Sequence, residues 1–246
     1  MCTVSWVHEA DGYRLLCNRD EKRTRAGAAP PTVETRDGVR FLAPSDGNFG
    51  GSWIGVNELG VSVCLLNGNG PQGVNLRSRG LLLLDLVSAE SADDVAERAS
   101  NIDLSVFAPF TLVALEPHRP SVLVEWDGSE VAVLLDADQY MPLVSSSFDT
   151  NRVRARRKAQ FEELVQRHGR LDEDVLEAFH KSHGLAPDAY STCMHRPDAE
   201  TMSFSRVKVS DTQIAFFYTP AAPCAGAGIQ FNALTIPADR VSYICQ

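Results

Sequence analysis

Residues 1–23 read MCTVSWVHEADGYRLLCNRDEKR. Cys2 to Val7 is rich in β-formers, Tyr13 to Asn18 is apolar and extended, and His8-Glu9-Ala10-Asp11-Gly12 between them is turn material, so a β-hairpin is predicted. Antiparallel pairing returns the end of the second strand to the start of the first, which places Asn18-Arg19-Asp20-Glu21 beside Cys2. Removal of Met1 would make Cys2 the N-terminal residue. A free α-amino group has a pKa of about 7.7–8.0, so part of it is neutral near pH 7 and can take the thiol proton directly or through one water. Nucleophile and general base then sit on one residue. Asp20 is expected to orient the amine, and Arg19 to lower the pKa of the thiol. The plainer alternative makes Cys2 a small buried side chain and residues 19–23 a charged turn.

Outward from this hairpin, Lys22 to Asp46 carries Pro30, Pro31 and Pro44 and is expected to be mostly loop, with a short strand near Val39 to Leu42. Gly50 to Asn57 and Val61 to Asn67 flank Glu58-Leu59-Gly60 as a second hairpin. A short apolar helix is expected over Gly80 to Val87. A second is expected after Ser91, an N-cap residue with Asp94 three positions on. Strands return at Phe110 to Glu116, Ser121 to Trp126 and Glu130 to Leu135, with another at Tyr140 to Ser146. Asn151 to His168 and Asp172 to His183 read as amphipathic helices, and Thr201 to Val209 and Gln213 to Thr219 as two final strands. Such segregated runs point to one α+β domain over residues 1–246, with mostly antiparallel sheet rather than a βαβ repeat.

Composition narrows the function. The chain has 246 residues, 44% hydrophobic and 22% charged, with a formal net charge of -9. That charge argues against non-specific nucleic-acid binding, which needs a basic footprint. No basic, apolar N-terminal leader is seen, and the longest apolar run is Leu81 to Leu84, so a cytoplasmic chain without a membrane span is expected. None of the six cysteines forms a C-x-x-C pair. Free thiols are therefore expected, with no metal and no cofactor.

The stretches MCTV, CNRDE, GGSWIGVNELGVSVCLLN and STCMHRPDAETMSFSRVKV resemble the NRDE family, also called the transport and Golgi organisation type 2-like family. That family in turn resembles N-terminal nucleophile hydrolases of the penicillin V acylase and bile salt hydrolase kind. The resemblance implies a four-layer αββα sandwich of two mostly antiparallel sheets. It implies Cys2 as nucleophile, Asp20 as the carboxylate near its amine, Arg19 as the nearby guanidinium and Asn67 in the region that supplies oxyanion contacts. Where the acylases carry a second oxyanion asparagine, this chain reads Val144-Ser145-Ser146-Ser147-Phe148, which leaves Ser146 as the candidate donor. A second acylase arginine falls roughly at Arg196.

Weaker signals complete the pass. Trp53, after Gly50-Gly51, is a candidate wall for an apolar pocket. Gly68 to Gly73 matches G-x-G-x-x-G, but Pro71 interrupts it and no βαβ unit surrounds it. Arg152, Arg154, Arg156, Arg157 and Lys158 crowd a helix start, where they would face solvent or an anionic partner. His195, with no carboxylate pattern around it, is expected to be structural. Two functions fit these residues. One is an amidohydrolase that cleaves a linear amide through a Cys2 thioester. The other is a non-catalytic carrier of an apolar ligand such as a lipid or haem. Either takes a small-molecule partner.

Overall fold

The expected hairpin forms, and its register is exact along the whole pair. In the computed structural model, which describes residues 2–70, 76–237 and 240, β1 (Cys2–Glu9) lies antiparallel to β2 (Gly12–Lys22), with Cys2 opposite Arg19 and Glu9 opposite Gly12. Along the chain follow β3 (Ala29–Arg36), β4 (Val39–Ser45), β5 (Ile54–Asn57), β6 (Ser62–Asn67), α1 (Arg79–Leu86), α2 (Ala92–Asn101), β7 (Phe110–Leu115), β8 (Val122–Trp126) and β9 (Val131–Leu135). Then come β10 (Leu143–Val144), α3 (Thr150–His168), α4 (Glu173–Lys181), β11 (Ala199–Ser210), β12 (Gln213–Thr219) and β13 (Gln230–Thr235). One sheet has the order β10-β1-β2-β11-β12-β13 and the other β3-β4-β5-β6-β7-β8-β9. All these strand pairs are antiparallel.

The strand period of two builds the layers. On β2, Tyr13, Leu15 and Cys17 point between the sheets and meet Ile54, Val56 and Cys64 of the other sheet in one core. Leu16 points the other way and packs with Phe161, Leu176 and Phe179 of α3 and α4. The seven-stranded sheet does the same, with Val63, Leu112 and Val124 against Leu82, Leu86 and Val95 of α1 and α2. The result is the αββα sandwich. No βαβ unit surrounds Gly68 and Gly70, and Pro71 to Gly73 lie outside the described residues.

Three expectations need correction. Lys22 to Asp46 is not mostly loop, because β3 and β4 form a hairpin there. Pro30 and Pro31 are accommodated because β3 is an edge strand and the register shifts between Ala29 and Thr32, where a missing N–H costs no ladder bond. The strand expected over Tyr140 to Ser146 shrinks to Leu143–Val144, preceded by a 3₁₀ turn at Ala137–Tyr140. β13 was not expected; it is a mostly exposed edge strand whose residues show no apolar alternation.

Asn18 and His180 lock the helical layer to β2. Asn18 Nδ2 donates to the carbonyls of His180 and Thr192, each at 2.9 Å. Asn18 Oδ1 can only accept, so His180 Nδ1, 3.0 Å away, carries the proton, and Nε2 accepts from the Ser5 hydroxyl at 2.9 Å. Burial, reinforced by the Arg157 charge, holds the imidazole down to about 3. An unfolded histidine titrates near 6.5, so between these values the unfolded chain binds more protons. The stability contributed by neutral His180 is therefore whole above pH ~6.5 and is lost as pH falls toward about 3. Melting temperatures measured from pH 7 to pH 4 should fall with acid, and the fall should be shallower in His180→Gln.

Candidate active site

Cys2 begins β1 on its inner face, 5% exposed, in the core between the sheets. Its backbone is clamped by one residue: Cys2 N donates to Ser145 Oγ at 2.9 Å, and Ser145 N donates to Cys2 O at 2.9 Å. A hydrogen bond with the Cys17 thiol, together with burial, pushes the Cys2 thiol well above the ordinary cysteine value. Cys17 is itself pushed up by burial. The surroundings of Cys2 therefore favour its protonated thiol form.

The alternation of β2 divides the charged stretch between two faces. Arg19, opposite Cys2, shares its face. Its guanidinium lies 4.5 Å from the Trp53 ring centroid and donates to Asp46 Oδ2 at 2.5 Å. Asp46 also accepts from Arg25 on both oxygens, at 3.1 Å each, and from the backbone N–H groups of Asn48 and Phe49. Burial alone would raise the Asp46 carboxyl, but the hydrogen bonds and charge of Arg25 outweigh it and hold the group below the usual carboxylate range. Arg19 is therefore already paired, and no lowering of the thiol by Arg19 is seen.

Asp20 takes the opposite face. Its carboxylate accepts from Arg157 Nη1 at 3.0 Å and from Thr201 Oγ1 at 2.7 Å, and Arg157 also donates to Thr3 Oγ1 at 2.5 Å. Asp20 and Arg157 are each 1% exposed. The hydrogen-bond partner of Cys2 N is thus Ser145, while Asp20 anchors the outer face beneath the same strand end.

A cavity of about 460 Å³ opens over Cys2. Cys2, Arg19, Trp53 and Asn67 all line it, so four of the expected residues converge. Arg79 joins them. Burial lowers its pKa from the usual arginine value, and it lies close enough to Cys2 for their charges to interact. Its Nη1 donates to Pro109 O at 2.8 Å, and it has no carboxylate partner among the described residues. Arg79 reaches the cavity because α1 starts against the loop between β4 and β5, where Ser52 N donates to Gly80 O and a Cβ on Gly51 would come within 2.5 Å of Gly80 C. A second cavity, of about 270 Å³, shares Asn67 and is walled by Leu66, Leu123, Leu143 and Val144, with Ser145 at its side.

Two expected residues stand elsewhere. Ser146 closes a local turn, accepting from Phe148 N and donating to Phe148 O, and does not line either cavity. Arg196 is paired with Asp198 and stacked on Phe148, likewise outside the cavity linings. The basic run at the start of α3 is not a free patch: Arg154 donates to Val144 O, Arg156 to Asp188, and Arg157 is buried. The burial of Arg157 had a signal in the sequence, because Val153, Arg157 and Phe161 fall at four-residue spacing on the buried stripe of α3. Ser145 lay in the serine stretch that the resemblance singled out, one residue before the expected donor Ser146, while Asp46 and Arg79 had no signal.

Over residues 1–213 the sequence matches the family described as Transport and Golgi organisation 2. The chain belongs to that family. No curated protein matches the sequence. Among solved structures, penicillin V acylase from Agrobacterium tumefaciens superposes with TM-score 0.57 at 12% identity, covering 94% of this chain and 85% of the acylase. The N-acylethanolamine-hydrolysing acid amidase orthologue of Caenorhabditis elegans gives TM-score 0.59 at 12% identity, covering 92% of this chain and 94% of the amidase. A variant of conjugated bile acid hydrolase from Clostridium perfringens gives 0.57 at 12% identity, covering 95% of this chain and 92% of the hydrolase. At this identity the likeness is one of fold, the N-terminal nucleophile hydrolase fold.

The Asp20–Arg157 pair is a sensitive point of this family member. Removing one partner leaves a buried charge uncompensated, which costs about 3–5 kcal/mol. Arg157→Met should therefore lower unfolding free energy in urea by about that amount, and Asp20→Asn added to it should recover part of the loss.

Proposed function

We propose that the chain is an N-terminal nucleophile amidohydrolase acting through Cys2. The observation that carries this is the convergence of Cys2, Asn67, Arg19 and Trp53 on one cavity at the start of β1. Removal of Met1 turns the amide nitrogen of Cys2 into an amine. That amine takes the proton from Sγ, which the buried thiol otherwise keeps, and the sulfur attacks the substrate carbonyl. Asn67 and backbone N–H groups hold the oxyanion. The tetrahedral intermediate collapses, the leaving amine takes the proton, and a thioester remains on Cys2. Water then attacks the thioester, releasing the acid and restoring the thiol. Ser145 Oγ holds the Cys2 nitrogen from the β10 side, in addition to the orienting role proposed for Asp20.

The two cavities suggest the substrate. An apolar acyl chain fits the leucine-walled cavity, and a polar anionic head fits the one that holds Arg79. A linear amide joining such parts would span Asn67. The relatives in fold are, by name, an acylase, a conjugated bile acid hydrolase and an N-acylethanolamine-hydrolysing acid amidase, which supports amide cleavage. The raised Cys2 thiol and the serines in place of a second oxyanion asparagine favour a second function on the same fold, carriage of an apolar ligand without turnover.

Intact mass, probe labelling and an acyl-amide library separate the two. Chains lacking Met1 should hydrolyse amides, and their Cys2 should label with iodoacetamide faster than Cys17 or Cys64; chains keeping Met1 should do neither. Cys2→Ser should lower kcat about 10²-fold or more, and Asn67→Ala about 10²–10³-fold. Arg79→Met should raise KM for acyl amides with an anionic head and spare those with a neutral head. Tight apolar-ligand binding that survives Cys2→Ser, with no turnover by Met1-free protein, would establish the carrier instead.

A further inference from the structure

A second cluster of reactive side chains lies in the loops outside the Cys2 cavity. His183 follows α4, Cys193 and His195 precede β11, and Cys224 lies in the connection from β12 to β13. Their ligand atoms all fall within 4.8 Å of one another. His183 Nε2 is 3.2 Å from His195 Nε2, Cys193 Sγ is 3.5 Å from it and Cys224 Sγ is 3.4 Å from it. These three contacts cannot all be hydrogen bonds. A neutral imidazole nitrogen either donates one hydrogen or offers one lone pair, and here three groups converge on one nitrogen.

We propose that His183, Cys193, His195 and Cys224 bind a single structural zinc ion. Zinc takes nitrogen at about 2.0–2.1 Å and sulfur at about 2.3 Å. In a tetrahedron those radii put two nitrogens about 3.3 Å apart, and a nitrogen and a sulfur about 3.6 Å apart. The three contacts to His195 lie within about 0.2 Å of these spacings, and with every pair within 4.8 Å the widest need close by no more than about 1.3 Å. Two imidazoles and two thiolates form a closed set of four, the composition of structural rather than catalytic zinc sites. On binding, the two thiols release their protons to solvent and the two thiolates neutralise the charge of the ion. Cys224 is exposed, which gives the ion an entry route, while Cys193 is buried.

The site would staple the irregular segment between α4 and β11 to the connection between β12 and β13. That segment supports β2 directly. Met194, between two of the ligands, donates its N–H to Thr201 Oγ1 at 2.8 Å, and Thr201 donates to Asp20. Thr192 O accepts from Asn18. The sequence showed no metal motif because the ligands are spread over two loops, 182–198 and 220–229, with only Cys193 and His195 close in the chain, and the expectation of no metal rested on C-x-x-C spacing.

The test uses the untagged full chain, purified under reducing conditions. Elemental analysis after gel filtration with equimolar zinc should find about one zinc per chain. Cobalt(II) added to the metal-free protein should give the sulfur-to-metal charge-transfer band and the intense visible bands of tetrahedral thiolate coordination. Cys224→Ser, at an exposed loop position, should keep its circular dichroism spectrum and lose about 10-fold or more in zinc affinity, and His183→Gln should do the same. Zinc retained in full by both variants, cobalt bound without a thiolate band, or no zinc bound by the reduced wild-type chain would each overturn the proposal. Amide turnover has no part in these readouts, so the result is independent of the role of Cys2.

Discussion

Strand β2 lies between β1 and β11, and the two-residue period of its side chains decides what each residue of the Asn18–Glu21 stretch can do. Arg19 and Glu21 turn to the cavity over Cys2, and Asn18 and Asp20 turn to the helices. The pairing of Cys2 with Arg19 fixes this division. A slip of one residue would bring Asp20 and Asn18 into the cavity and drive Leu15 and Cys17 out of the core between the sheets. The core therefore enforces the site: the apolar residues earlier in the strand hold the charged residues at its end in register.

Charge around Cys2 is arranged by pairing rather than by excess. Asp46 binds Arg19 and Arg25 together with two backbone N–H groups, and Asp85 binds Arg77, so most of the arginines lining the cavity are already neutralised. Among the described residues Arg79 is the exception: it has no carboxylate partner and keeps capacity for a ligand. The thiol sits among other thiols and apolar side chains, and its environment favours the protonated form. In the hydrolytic proposal the base is the Cys2 nitrogen itself, which is why loss of Met1 is central to it.

The outer face of β2 carries two polar networks inside an otherwise apolar layer. Thr3, Asp20, Arg157 and Thr201 form one group, and Ser5, Asn18 and His180 another, all buried. The first ties α3 and β11, and the second α4, to the strand that ends at the cavity. Buried polar groups are costly unless paired, so these networks admit few alternative placements of the helices. They also connect β2 to the loop that gathers His183, Cys193 and His195, through the carbonyl of Thr192 and the N–H of Met194.

The sequence by itself determined the strands and helices with strong periodicity, the layering that follows from their order, and the meeting of Cys2 with Arg19. These are local or nearly local matters: a turn at residues 8–12 fixes the first hairpin, and Ser91 caps α2 by bonding Asp94 N, as its position three residues before that acid requires. It also held the burial of Arg157 in the spacing of α3, although a basic neighbourhood masked it. Tertiary structure alone decided the rest. Ser145 meets Cys2 because β10 pairs with β1 from far along the chain, Arg79 and Asp46 reach the cavity from the start of α1 and the loop after β4, and Ser146 and Arg196 turn away from it. The edge strands β3 and β13 form because partners supply their hydrogen bonds, against two prolines in one and without apolar alternation in the other. The cysteine and histidine cluster belongs to the same class, since its four ligands come from two loops separated in the chain by β11 and β12 and share no metal-site spacing that a chain could display before it folds.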